Sequence, residues 1–231
     1  LSKQLHILAA NIDQAMFVAT VKHPETSTTF IDRFLATAEA YRIPTILLFN
    51  KTDLLDSDDS AYLDSLSHLY QTIGYRCLRL SAIADEGVAP LRNLLQGKIT
   101  LLSGHSGVGK STIINALLPD AGIKTAGISD YHHKGMHTTT FSQLYEIDAD
   151  TAIIDTPGIK GFGMVDMQAQ EVGHFFPEIF ATSKRCHFTN CTHRHEPDCA
   201  VLQAIACHTI ALSRYESYLS ILDDINGDKY R

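Results

Sequence analysis

No apolar run in this 231-residue sequence approaches the length of a membrane span, and no basic-then-apolar leader pattern opens it. Both absences point to a cytoplasmic protein. A basic excess is missing too: 19 Lys and Arg face 26 Asp and Glu, a formal net charge of −7. A protein that grips RNA by broad electrostatics is usually basic, so any nucleic-acid contact here is expected to be local or assisted by parts not present in this chain. Internal repeats and low-complexity tracts are absent as well. What remains is an ordinary globular composition, 45% hydrophobic and 19% charged, with room for one good-sized core and a smaller module. The five cysteines are odd in number, and Cys186, Cys191 and Cys199 cluster beside histidines. That favours a metal over disulfides.

Apolar patterning predicts a strand over Gln14–Val21, a helix over Thr26–Tyr41 and a near-continuous apolar strand at Thr45–Phe49. A helix over Asp58–Ile73, a strand at Arg76–Leu80, a helix from about Val88 to Gln96 and a strand at Ile99–Leu102 follow. Beyond a helix at Thr112–Leu118, residues Ala121–Thr140 show no sustained period and read as a mobile functional loop. Phe141–Ile147 and Thr151–Asp155 read as strands. Alternation of strands and helices implies an α/β fold, a mostly parallel sheet with helices on both faces. From about Asp166 the pattern turns helical and Cys/His-rich, and Ile210, Tyr215, Tyr218, Leu219 and Leu222 offer one apolar helical face. Cys77 and Cys207 are expected in the core.

Between a strand and a helix, Gly104-His105-Ser106-Gly107-Val108-Gly109-Lys110-Ser111 matches G-x-x-x-x-G-K-[ST]. Its glycines let successive N–H groups face one point, and the helix N-terminus adds its positive end. Gly104, Ser106, Gly107, Val108, Gly109, Lys110, Ser111 and Thr112 are therefore candidates to hold a polyphosphate. Lys110 would reach the β- and γ-phosphates, and Ser111 would ligate Mg²⁺. Asn50-Lys51-Thr52-Asp53 fits a guanine reader. The Asp53 carboxylate can accept from guanine N1–H and the 2-amino group, the Lys51 stem lies against the base, and Asn50 supports the loop. Ser81-Ala82 supplies a candidate backbone contact to guanine O6. In Asp155-Thr156-Pro157-Gly158, Asp155 can hold Mg²⁺ through water and the Gly158 N–H can meet the γ-phosphate. All these turns follow strand carboxyl ends, where such sheets bind ligands. Jointly they read as a GTP site.

The order of these motifs, guanine reader first and phosphate loop after it, resembles the circularly permuted RsgA/YjeQ family of small-ribosomal-subunit-dependent GTPases. The resemblance extends over nearly the whole chain, from Leu8-Ala9-Ala10-Asn11-Ile12-Asp13-Gln14 onward. It implies a circularly permuted P-loop GTPase domain over residues 1–165 and a C-terminal helical zinc-binding module over 166–231. It also implies hydrolysis of GTP to GDP in late maturation of the small ribosomal subunit, stimulated by that subunit and its rRNA. Family members carry an N-terminal OB-fold, and none is present in this chain. Gly135-Met136-His137-Thr138-Thr139-Thr140 matches the family's G-x-H-T-T switch, with Thr139 favoured as a Mg²⁺ ligand and Thr138 close behind. The position where Ras-like enzymes place a water-orienting glutamine is Ile159, so His137 is the candidate to position water. Thus His137, Lys110 and Thr139 form the expected catalytic group.

Cys186, Cys191, His193 and Cys199 supply three thiolates and an imidazole, a set suited to one structural Zn²⁺ with no open position; it matches the family's zinc module. His187 and His195 are rival ligands. Lys184, Arg185 and Arg194 could form a small rRNA-facing patch, although from composition alone a solvated charged face is the default reading. A monomer is expected, with neither DNA nor membrane as partner. Two other readings stay open: a GTP-gated RNA-binding scaffold with negligible turnover, and an ATP-dependent kinase-like enzyme, which Asn50–Asp53 disfavours.

Overall fold

The computed structural model describes residues 11–84, 87–123, 142–156 and 167–227. It divides into two compact units, one formed by the described residues of Leu1–Thr26 and Ile43–Gly163, the other by those of Ser27–Arg42 and Met164–Arg231.

The first unit is built on six strands: β1 (Gln14–Ala19), β2 (Thr45–Phe49), β3 (Arg76–Arg79), β4 (Ile99–Gly104), β5 (Gln143–Asp148) and β6 (Thr151–Asp155). Their spatial order is β3-β2-β1-β4-β6-β5. All pairings are parallel except that of β5, which lies antiparallel to β6 at the edge. Every residue of β1 is buried, as expected of a central strand covered on both faces. Edge strand β5 alternates between exposed and half-buried residues, which is why its sequence alternates where β1 and β2 do not. Its helices are α2 (Ser57–Ile73), α3 (Ala89–Leu95) and α4 (Lys110–Leu117). Asp56 caps α2 through a capping box with Asp59, and Gly74 ends it in the left-handed conformation. One apolar cluster joins Met16, Val18 and Leu48 of the sheet to Leu91 of α3 and Ile113 and Ile114 of α4.

The second unit comprises α1 (Thr28–Ala40), α5 (Pro177–Ser183), α6 (Ala200–Ala206) and α7 (Leu212–Gly227), with a short 3₁₀ turn at Val172–Phe175. Helix α1 lies between β1 and β2 in the chain yet belongs to this unit, where Ala36 joins Val172, Phe176, Ile179, Tyr218 and Leu222 in one core. Phe30, Phe34, Ala38 and Tyr41 recur at helical spacing, yet of the four only Phe34 and Ala38 are buried, and Tyr41, the C-cap, is 52% exposed. Fully buried Arg214 donates from Nη1 to Asp32 (2.7 Å) and from Nε and Nη2 to Glu178 (2.7 and 3.2 Å), tying α7 to α1 and α5. Its guanidinium also stacks 4.6 Å from the Phe176 ring centroid.

Cys207 departs from expectation. It is exposed, because α6 turns Val201 and Ala204 inward and ends one residue before it. Cys77 is half-buried on edge strand β3. Among the described residues no helix is long and apolar enough to cross a membrane.

Candidate functional site

Strand register brings the sequence motifs of the first unit to one edge of the sheet. Ala19 pairs with Phe49, Phe49 with Arg79, Val18 with Gly104 and Leu102 with Asp155. Consequently Asn50, Ser81, the loop after Gly104 and Asp155 all stand at the carboxyl ends of parallel strands. The strand order reverses between β1 and β4, which is where a ligand crevice opens in such folds.

Two glycines of the phosphate loop are dictated by close approach. At Gly104 (φ 142°) a Cβ would lie 2.3 Å from the carbonyl oxygen of Val18, and at Gly109 (φ 99°) it would lie 2.4 Å from Asn50 Nδ2. No side chain fits either position. Lys110 opens α4 and donates from Nζ to the carbonyls of Gly104 (2.8 Å) and His105 (2.9 Å). An ammonium has three donors, so one further N–H remains. Burial pulls the Lys110 pKa down, and neighbouring Asp155 pulls it back up. Asp155 is pushed the other way, raised by burial and lowered by Lys110. Its Oδ1 is buried with no hydrogen-bond partner. Ser111 and Thr112 are half-buried on the first turn of α4, while Ser106 and Gly107 are exposed at the loop tip and Val108 is fully buried.

Asn50 is 4% exposed and links three motifs. Its Nδ2 donates to the Val108 carbonyl (2.8 Å), and its Oδ1 accepts from the Ala82 N–H (3.0 Å). Ser81 donates from its hydroxyl to Asp53 Oδ1, so the Ser-Ala turn also orients the candidate guanine-reading carboxylate. Asp53 itself is exposed on a 3₁₀ turn, Thr52–Leu54. Lys51 precedes that turn in the left-handed region (φ 63°) and donates from Nζ to the His23 carbonyl. The expectations on His137, Thr138, Thr139, Thr140, Gly158 and Ile159 lie outside the described residues.

In the second unit Cys186, Cys191, His193 and Cys199 present ligand atoms all within 4.8 Å of one another. Sulfur ligands at about 2.3 Å and a nitrogen at about 2.0 Å around tetrahedral zinc imply ligand separations of roughly 3.6–3.8 Å. The observed ones are 3.9 Å for Cys186–Cys199 Sγ, and 3.7 and 3.4 Å from His193 Nδ1 to Cys186 and Cys199 Sγ. This donor set therefore fits zinc, with His193 offering Nδ1. His187 and His195 are not members of the cluster. The α6 N-terminus supports the Cys199 sulfur, which accepts from the Leu202 N–H at 3.5 Å.

Outside the ligand set, three side chains brace the metal loop. Glu196 accepts from the Thr192 N–H and hydroxyl (both 2.6 Å) and from the N–H groups of Arg194 (2.9 Å) and His195 (3.1 Å). Burial opposes its charge, but these donors outweigh burial and hold its carboxyl well below the usual range. Tyr215 and Tyr218 donate to the carbonyls of His193 (2.6 Å) and Thr192 (2.8 Å). In the sequence the two tyrosines read only as part of an apolar face, and Glu196 is marked only by its spacing from Thr192. Arg194 pairs with Asp223, and Lys184 sits 5.0 Å above the Phe180 ring.

Comparison with known proteins agrees with this architecture. The model of the RsgA GTPase family matches residues 1–165. The small ribosomal subunit biogenesis GTPase RsgA of Bacteroides fragilis is 62% identical over 231 residues, covering all of this chain and 74% of the relative. That of Porphyromonas gingivalis is 59% identical over 234 residues, with the same coverage. Among solved structures, YjeQ from Thermotoga maritima superposes with a TM-score of 0.80 at 38% identity, over 94% of this chain and 73% of that one. YloQ, described as a circularly permuted GTPase, gives 0.78 at 31% identity, over 96% and 70%. With its permuted strand order, its phosphate loop and its Cys₃His cluster, the chain belongs to the RsgA GTPase family, whose members are GTP hydrolases.

Proposed function

We propose that GTP is read and held at the carboxyl edge of the sheet, and that its hydrolysis serves late maturation of the small ribosomal subunit. The observation that carries this reading is the pair of hydrogen bonds that Asn50 makes, donating to the Val108 carbonyl and accepting from the Ala82 N–H, which fastens guanine reader, Ser-Ala turn and phosphate loop to one another. Asp53 would accept from guanine N1–H and its 2-amino group. Backbone N–H groups of residues 106–112 would face the phosphates, with Lys110 exchanging its loop carbonyls for β- and γ-phosphate oxygens.

The orphaned, buried Asp155 Oδ1 suits a cation site, and Ser111, Thr139 and Asp155 would hold Mg²⁺. Bound there, the ion neutralises charge on the phosphate oxygens. His137 would orient the attacking water, Gly158 would meet the γ-phosphate, and the zinc-bearing unit would contact the subunit's rRNA. A monomer suits this role.

Hydrolysis measured with and without purified small subunits, with ATP as competitor, tests nucleotide, chemistry and partner together. Strong stimulation and indifference to ATP are expected. Negligible turnover in the presence of subunits would instead mark a GTP-gated scaffold.

A further inference from the structure

The loop that follows β1, Thr20–Thr26, reaches both the phosphate loop and the guanine-reading turn in the first unit and carries none of their motifs. Its neck is clasped by two buried threonines. The Thr20 N–H donates to Thr26 Oγ1 (3.1 Å), the Thr26 N–H donates to the Thr20 carbonyl (2.9 Å), and the Thr20 hydroxyl donates to the Pro24 carbonyl. The loop stands at the β1–β4 reversal, beside the phosphate loop. A Cβ at Gly107 would lie 3.4 Å from Pro24 Cδ, so ring and loop tip are one methyl group apart.

Its tip also brackets the guanine-reading turn. At the start of that turn the His23 carbonyl accepts from Lys51 Nζ; at its end Lys22 ion-pairs with Asp56 (3.0 Å) and with Asp59, the capping-box partners that open α2. Two consecutive residues thus fix both ends of the segment that carries Asp53. The turn needs holding: Lys51 is a non-glycine residue at φ 63°, a conformation that persists where surroundings over-determine it. Exposed ion pairs add little to global stability. Lys22 is 31% and Asp56 63% exposed, so the bracket matters for where Asp53 sits and little for whether the unit folds.

We propose that Lys22 and the His23 carbonyl position the guanine-reading turn, making the Thr20–Thr26 loop a determinant of selectivity for guanine nucleotides. The inference rests on Asp53 reading the guanine edge. Lys51, tethered by its ammonium, presents a fixed methylene wall to the base. Lys22, tethered to the start of α2, keeps the Asp53 carboxylate in register with guanine N1–H and the 2-amino group. A loosened turn keeps its phosphate contacts and loses base discrimination.

Calorimetric titration of the full chain with GDP and IDP, which differ by the 2-amino group alone, tests this. Lys22→Glu sets a third acid against Asp56 and Asp59 and is expected to weaken GDP roughly fivefold or more, with IDP changing much less. Lys22→Arg is expected to stay within about twofold of the wild type for both ligands. Lys22→Gln, which loses the charge without adding repulsion, gives an intermediate loss and serves if the reversal does not fold. A wild type without GDP-over-IDP preference sinks the reading of Asp53 and this proposal with it. A wild-type preference that survives Lys22→Glu and Lys22→Gln, or an equal loss for both nucleotides, overturns the proposal alone.

Discussion

Asn50 donates to the Val108 carbonyl at 2.8 Å across 58 residues of sequence, joining the candidate guanine-reading strand end to the interior of the phosphate loop. The same side chain accepts from Ala82, so its removal strands two backbone groups in a buried place. Leaving buried polar groups unpaired costs about 1–3 kcal/mol each. Asn50→Ala should therefore lower the thermal midpoint measurably and weaken GDP at least tenfold by calorimetry. Asn50→Asp keeps the shape, replaces the donor by an acceptor facing Val108 O, and should be no better. Undiminished GDP affinity in Asn50→Ala would show that the three motifs hold their places without this link.

Zinc should be structural in the second unit. With four protein ligands there is no open position for chemistry, and binding such a metal is coupled to folding. Elemental analysis is expected to find about one zinc per chain. Chelation should unfold the second unit while GDP binding by the first persists. Cys191→Ala should lose the metal and lower the unfolding midpoint; full zinc occupancy and unaltered melting in that variant would remove the cluster from consideration. Glu196→Gln probes the brace alone: the ligands remain, and weaker zinc retention at a given chelator concentration is the expected reading.

Legibility in the sequence followed the range of the forces. β2 could be read because Thr45–Phe49 is a near-continuous apolar run, and the phosphate loop because Gly104 and Gly109 are demanded by clashes that no other residue avoids. Capping of α2 by Asp56 is equally local. The pairing of Asn50 with Ala82 was not legible, since a backbone N–H leaves no trace in residue type. Helix α1 could be recognised from its spacing, but nothing local reveals that it shares a core with Phe176 and Tyr218, more than 130 positions on. Cys207 was misjudged because free cysteines are usually buried, whereas its exposure depends on where α6 stops.

Asp32 and Arg214, 182 residues apart, show what long range hides. Breaking a buried pair costs about 3–5 kcal/mol because the surviving charge is left uncompensated. The two partners should differ. Asp32→Ala leaves Arg214 its two-point contact with Glu178, so a loss near the lower figure is expected in urea unfolding. Arg214→Met leaves the fully buried Asp32 carboxylate without its cation and should approach the upper figure. The double variant Asp32→Leu/Arg214→Met should recover part of that loss. Equal small effects from both single variants would mean that the pair contributes nothing beyond its packing.

The water-positioning role proposed for His137 predicts an effect separable from nucleotide binding. Single-turnover hydrolysis by His137→Ala, with GTP affinity measured alongside, should show the rate falling by about 10²-fold or more while affinity changes little. Subunit-stimulated hydrolysis at the wild-type rate would transfer that role to the ribosome or to another residue.

Acid should silence the proposed Mg²⁺ site before it unfolds the protein. Burial raises the Asp155 pKa, and Lys110, which opposes that rise, does not cancel it. Its carboxyl therefore takes up a proton at a pH above the ordinary value of about 3.9. The sign follows from the raised value: the folded state binds this proton more readily than the unfolded one, so protonating Asp155 does not destabilise the fold as pH falls. What falls is the charge available to a cation. Mg²⁺-dependent strengthening of GTP binding should thus weaken as pH falls, starting at a higher pH than an ordinary aspartate would allow, while the far-ultraviolet circular dichroism stays unchanged. In Asp155→Asn the Mg²⁺ effect should already be small at neutral pH and should not vary with pH. A wild-type Mg²⁺ effect that stays flat until pH reaches the ordinary aspartate range, or an undiminished one in Asp155→Asn, would place the ion on other ligands.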